Sequence, residues 1–144
     1  MIRAVLDTNV LASATANFSV QNSIPAALLH AAVIRRFQLV TSRVILDELH
    51  RTLQKPYFRQ RLAAQDLQEF ERIITRWAII VPITVHVSGV ATHAEDDPIL
   101  ATALSAQVDY LVTGDQRLRK HVPSISGIPL VSPTKFLDTL SRQS

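Results

Sequence analysis

The chain has 144 residues, a 47% hydrophobic share, only 3 Gly and no Cys, which excludes a disordered chain, a disulfide framework and any thiolate metal site. No apolar run approaches the ~18 residues of a membrane span and no charged-then-apolar leader stands at the start, so one cytoplasmic domain over 1–144, with no membrane contact, is expected. The net charge of +3, the pI near 9.8 and an Arg-heavy set of cations, 12 of the 15, favour an anionic partner, although Arg suits ordinary ion pairs as well as phosphate.

In chain order, residues 2 to 6 read as a short buried strand, apolar and β-branched, ending on Asp7. An acid inside such a strand would be costly unless paired. At its carboxyl end it points into the crevice where open α/β sheets bind ligands. An Ala-rich helix follows over about 25 to 36, with Pro25 in its first turn. Residues 38 to 41, QLVT, make a strand, and Ser42 caps a helix running to about Lys55, where Pro56 ends it. A further helix over 65 to 77 places Asp66, Glu69 and Glu71 early and Arg72 and Arg76 late, as the helix dipole prefers. The run AIIVPITVHV is strand-like but broken by Pro82. A helix over about 97 to 106, strands at 110 to 113 and 128 to 131, and a helix after Pro133 complete the chain. Alternating short strands and helices predict an α/β fold, a three-layer α/β/α sandwich with a mainly parallel central sheet.

Four acids stand just beyond a predicted strand or in the helix leaving one: Asp7, Glu48, Asp97 and Asp115. A parallel sheet can bring them to one edge. Crowded carboxylates repel and raise each other's pKa unless a cation neutralises them. Mg²⁺ or Mn²⁺ suits an oxygen-only set, and such ions activate water at phosphoryl groups.

The motifs LDTNVL, ILDEL, DDPILATAL and YLVTGDQRL occur in an order and spacing that resembles PIN domains, over residues 2 to about 137. The resemblance is to the bacterial branch of VapC-type toxin components of toxin–antitoxin pairs. It implies a metal-dependent ribonuclease with Asp7, Glu48, Asp97 and Asp115 as catalytic and metal-binding acids, and Asn9 and Thr113 in support. It also implies an RNA substrate, an antitoxin partner and a homo-oligomer, dimer or tetramer. One departure stands out. Many relatives carry a further acid one residue beyond TGD, where this chain has Arg117.

Each acid also has a plainer reading. Asp7 and Asn9 resemble a helix-capping pair, Asp115 in TGD an ordinary turn or cap, and Asp96 and Asp97 first-turn acids. Adjacent Asp47 and Glu48 cannot both face the site, and the family pattern selects Glu48. Likewise it selects Asp97, leaving Glu95 and Asp96 as exposed neighbours. No His spacing suits zinc. Two basic stretches could track a phosphate backbone: Arg117, Arg119 and Lys120, directly after Asp115, are the expected substrate contacts, while Arg51 to Arg61 reads slightly better as a solvated face. Two rivals remain. A haloacid dehalogenase-type phosphatase needs an acid two residues after its first Asp, where Asn9 cannot protonate a leaving group. A catalytically silent PIN-fold binding module would be expected to have lost carboxylates.

Overall fold

Ala4, Val5 and Leu6 are all fully buried. Because successive strand side chains point to opposite faces, such a run needs cover on both sides of its sheet. The computed structural model describes residues 1–143 and supplies that cover. Strand β1 (Arg3–Leu6) lies at the middle of a six-stranded sheet, with β2 (Gln38–Thr41), β3 (Ile79–Ile80), β4 (Tyr110–Val112), β5 (Ser124–Ile125) and β6 (Ile128–Val131). Their spatial order is β3-β2-β1-β4-β6-β5. The pairs β1–β2, β1–β4, β2–β3 and β4–β6 are parallel, while β5 returns antiparallel beside β6. The chain therefore runs outward from β1 on one side, then starts again on the other side at β4. The order reverses between β1 and β4, which is where an open parallel sheet leaves a crevice at its carboxyl edge.

The helices are α1 (Thr8–Ala16), α2 (Ile24–Val33), α3 (Arg43–Leu53), α4 (Pro56–Arg59), α5 (Ala64–Trp77), α6 (Asp97–Ala106), α7 (Gln116–His121) and α8 (Pro133–Ser141). Helix α1 packs on α2, α3 and α5, whereas α6 lies directly against β1 and β4. Ser hydroxyls begin three of the helices: Ser23 accepts from Ala26 N–H, Ser42 from Ile45 N–H and Ser132 from Lys135 N–H. Phe37 and Phe136, both fully buried, meet edge to face with ring centroids 5.1 Å apart.

The α/β class and the mainly parallel sheet match the expectation, and several boundaries move. Helix α2 stops at Val33, not near 36, because Arg35 turns to a positive φ of 63°. The strand-like run 78–87 contributes only Ile79 and Ile80, since Pro82 has no N–H for a ladder. Four elements lacked any counterpart in the sequence reading: α1, α4, α7 and β5. Among the described residues no helix is long and apolar enough to cross a membrane.

Candidate active site

Asp7 leaves β1 at the point where β1 and β4 part. Its N–H donates to Val112 O (2.9 Å), which pins the residue to the end of β4. Although it stands at the N-cap of α1, its side chain makes no capping bond, so the plain capping reading does not hold. The carboxylate instead turns across the sheet edge, and Thr113 Oγ1 donates to Asp7 Oδ2 at 2.7 Å. Thr113 is fully buried, and its hydroxyl accepts from Asp115 N–H at 3.1 Å. A hydroxyl has one proton to give. Since it accepts from an amide, that proton is directed at Asp7.

Asp7 is only 9% exposed. Burial, the largest influence, pushes its pKa above the ordinary 3.8; the bonds from Thr113 and the Thr8 backbone pull it down, and the charges of Glu48 and Asp115 push it further up. Glu48 and Asp115 are thus Asp7's charged neighbours. Glu48 is half-buried on α3, whereas the adjacent Asp47 is exposed and lines a separate, largely apolar groove between α3 and α5 with His50. Asp115 does cap α7: its Oδ1 accepts from Arg117 N–H (3.0 Å) and Leu118 N–H (3.1 Å). Oδ2 makes no hydrogen bond among the described residues, so the cap and the site use different oxygens of one carboxylate.

The acid pair before α6 departs from the sequence reading. Asp96, expected to be an exposed neighbour, is half-buried. Its pKa is raised by burial first, then by Asp7, Asp115 and Glu95, with His93 opposing. The cause is the entry into α6 through a 3₁₀ turn over Ala94–Asp96. Successive helical residues differ by about 100° in direction, so Asp96 and Asp97, both half-buried, meet the edge from different angles. Asp96 thus shares the edge with Asp7 and Asp115. Asp97 Oδ1 is buried with no hydrogen-bond partner among the described residues, a position that suits water or a cation.

Asp115 stands between two clefts. One, of about 410 Å³, is lined by Asp7, Asn9, Gly114 and Asp115, with Asn9 exposed at its wall. The other is lined by His93, Glu95, Asp96, Asp115 and Arg117. Arg117 and Lys120 are exposed, as substrate contacts would be, but Arg119 is half-buried. Its Nη1 donates to the carbonyl O of Thr113. Arg119 thus ties α7 to the turn that carries Thr113.

Among the described residues, no group of three or more His, Asp or Glu side chains closes into a ready metal cage. What the edge does provide is an oxygen-only set of mutually repelling acids. That set fits a hard divalent ion that keeps much of its water and is held by one or two carboxylates.

A family model described as PIN domain matches residues 3–117. No curated protein matches the chain. Solved structures resemble it in fold, two of them as follows. One is the crystal structure of PAE2754 from Pyrobaculum aerophilum, at 16% identity and a TM-score of 0.62, covering 99% of this chain and 91% of that one. The other is the PIN domain endonuclease Utp24, at 21% identity and a TM-score of 0.51, covering 90% and 84%. The PIN domain is a nuclease fold, which sets aside the phosphatase alternative. With a mostly parallel sheet whose carboxyl edge gathers acids and a family match over most of its length, the chain belongs to the PIN-domain family.

Proposed function

We propose that the chain is an endoribonuclease that hydrolyses RNA phosphodiester bonds with Mg²⁺ or Mn²⁺ at the β1/β4 edge. The observation that carries this reading is Asp7. It is a buried carboxylate locked by Thr113 at the reversal of strand order and repelled by Glu48 and Asp115. A carboxylate kept charged in that position needs a positive counterpart, and a phosphate held there needs the same one. The bound ion supplies an activated water and neutralises charge on the phosphoryl group.

The chain's own residues divide the remaining work. Asp7 and Asp115 would hold the ion from the ends of neighbouring strands, with Asp96 and Asp97 at the start of α6 beside them. Glu48, on α3, accepts a proton from water or completes the charge balance. Thr113 keeps its proton on Asp7 Oδ2 and so fixes which carboxylate oxygen is left to bind. Arg119 holds the Thr113 carbonyl and so steadies the residue whose hydroxyl serves Asp7.

A role as the toxin of a toxin–antitoxin pair is supported by the resemblance of the motifs. Its test is whether a small adjoining gene product co-purifies with the chain and inhibits it. Hydrolysis itself is tested with purified protein and RNA: cleavage with Mn²⁺ or Mg²⁺, loss in EDTA, and an Asp7→Asn protein run alongside to expose any contaminating nuclease. Cleavage that persists in excess chelator overturns the metal-dependent reading.

A further inference from the structure

One stretch of the chain carries cations and no acids. Residues 49 to 65 contain Arg51, Lys55, Arg59 and Arg61 and not one acid. With these four cations set aside, the net charge of +3 becomes −1. All four side chains are exposed, and none forms an ion pair among the described residues, where the salt bridges are Arg72–Glu69 and Arg142–Asp138. The next acid, Asp66, is engaged elsewhere: its Oδ2 accepts from Ala63 N–H at 2.8 Å and so closes the start of α5. Tyr57 stands among the cations, 58% exposed. The Arg61 guanidinium lies over its ring, 3.7 Å from the centroid, and donates to the Tyr57 carbonyl at 2.7 Å. An exposed aromatic stacked with an Arg, ringed by unpaired cations, is the combination that holds single-stranded nucleic acid.

We propose that this helical hairpin, from the end of α3 through α4, is a landing surface for an RNA strand entering the acid edge. The proposal rests on the ribonuclease reading for its choice of ligand. Position supports it: Glu48 faces Asp7 from α3, and Arg51 follows three residues later on the same side of the helix. At about 1.5 Å of rise per residue, Lys55 lies only about 10 Å further along than Glu48. A strand whose phosphate reaches Asp7 thus has cations beside it within the next few nucleotides. These cations also balance the acid edge, which repels RNA by itself. An anionic membrane suits the hairpin less. Four-residue α4 is too short for an interfacial helix, Phe58 packs against the core, and Tyr57 has one face covered by Arg61.

The test compares the wild type with Arg51→Gln/Lys55→Gln/Arg59→Gln, leaving Arg61 in its hydrogen bond. Binding of a fluorescein-labelled oligouridine is followed by anisotropy in EDTA at rising KCl. Hydrolysis of the small diester bis(p-nitrophenyl) phosphate is followed separately with Mn²⁺. The expected result is affinity about tenfold or more weaker at low salt and a log–log salt slope smaller by about 2, near 0.7 for each phosphate no longer neutralised. Diester hydrolysis stays unchanged. Tyr57→Ala weakens single-strand binding about tenfold and spares duplex RNA. The Arg51→Lys/Arg59→Lys protein keeps the wild-type slope; a slope lost there as well overturns a charge-based surface. Equal slopes in wild type and the Gln variant also overturn it, even if RNA is cleaved. Binding to phosphatidylserine vesicles but not RNA overturns it too. Patch-dependent RNA binding without any cleavage supports the hairpin and removes the ribonuclease reading.

Discussion

The acid edge and the basic hairpin carry opposite charge, and they carry it differently. Asp7 is buried and held by three elements at once, so its charge strains the fold and depends on protonation. The cations of the hairpin lie in water and make no ion pairs among the described residues. Burial therefore concentrates chemistry at β1 and β4, while exposure gives the hairpin long reach and sensitivity to salt. A single variant should disturb one region and leave the other intact.

Asp7→Asn is the sharpest way to separate the two. It should lower metal-supported RNA cleavage by about a thousandfold, the rate equivalent of about 4 kcal/mol. Affinity for the same RNA in EDTA should not fall, because the hairpin is untouched. Gel assays of cleavage and anisotropy of binding on one preparation make the comparison.

Next in size is the choice between adjacent acids. Asp96→Asn should reduce cleavage by about a hundredfold and Asp97→Asn by less than tenfold, within the range expected when carboxylates around a metal are altered. Equal losses in both would make the orphaned oxygen of Asp97 an equal partner in the site. Thr113→Val removes the proton directed at Asp7 and should cost about tenfold to a hundredfold in kcat with little change in KM. Arg119→Ala should follow the same pattern at about tenfold, with Arg119→Lys recovering part of the loss, since Lys can still donate to the Thr113 carbonyl. A rise in KM alone would assign Arg119 to substrate contact.

The smallest effect is on stability. The folded chain holds Asp7's proton above the pH at which an unfolded chain, with its pKa near 3.8, has released it. Stability therefore falls as pH rises from about that value through the higher folded pKa. Asp96, shifted the same way, adds to the fall. In EDTA, Asp7→Asn should melt about 2–4 °C above the wild type near neutral pH. The gap should close toward pH 3, where both proteins are uncharged at this position. Thermal melts across pH check the sign, and a neutral-pH melting point below the wild type's would show that Asp7 is structural.

Much of this was legible in the chain. β1 ending on Asp7, and β4 followed by Thr113 and Asp115, announce a strand-end site because apolar β-branched runs stop on polar residues. Helix α1 was hidden because Thr8, Val10, Leu11, Ala12, Ala14 and Thr15 are all buried. A helix covered on most sides has no 3.6-residue polar pattern to read. Helix α7 was absorbed into a presumed turn, since six residues give too short a pattern. That Asp96 joins Asp97 at the acid edge is not legible from spacing, because the 3₁₀ entry into α6 sets the direction of both. Arg119 was assigned by proximity in sequence to Asp115. Only its hydrogen bond to Thr113 shows that it faces inward.

The brevity of the outer strands has a consequence for association between molecules. An exposed strand edge offers unpaired N–H and C=O groups on which another chain can build. β3, at one edge of the sheet, is two residues long and is followed at once by Val81 and Pro82. β5, at the other edge, is equally short, opens just after Pro123, and runs antiparallel to its neighbour. Neither margin presents enough ladder to template a further strand. Growth of the sheet into fibres or strand-swapped pairs is blocked at both ends, even though Ile79 and Ile80 remain 38% and 44% exposed.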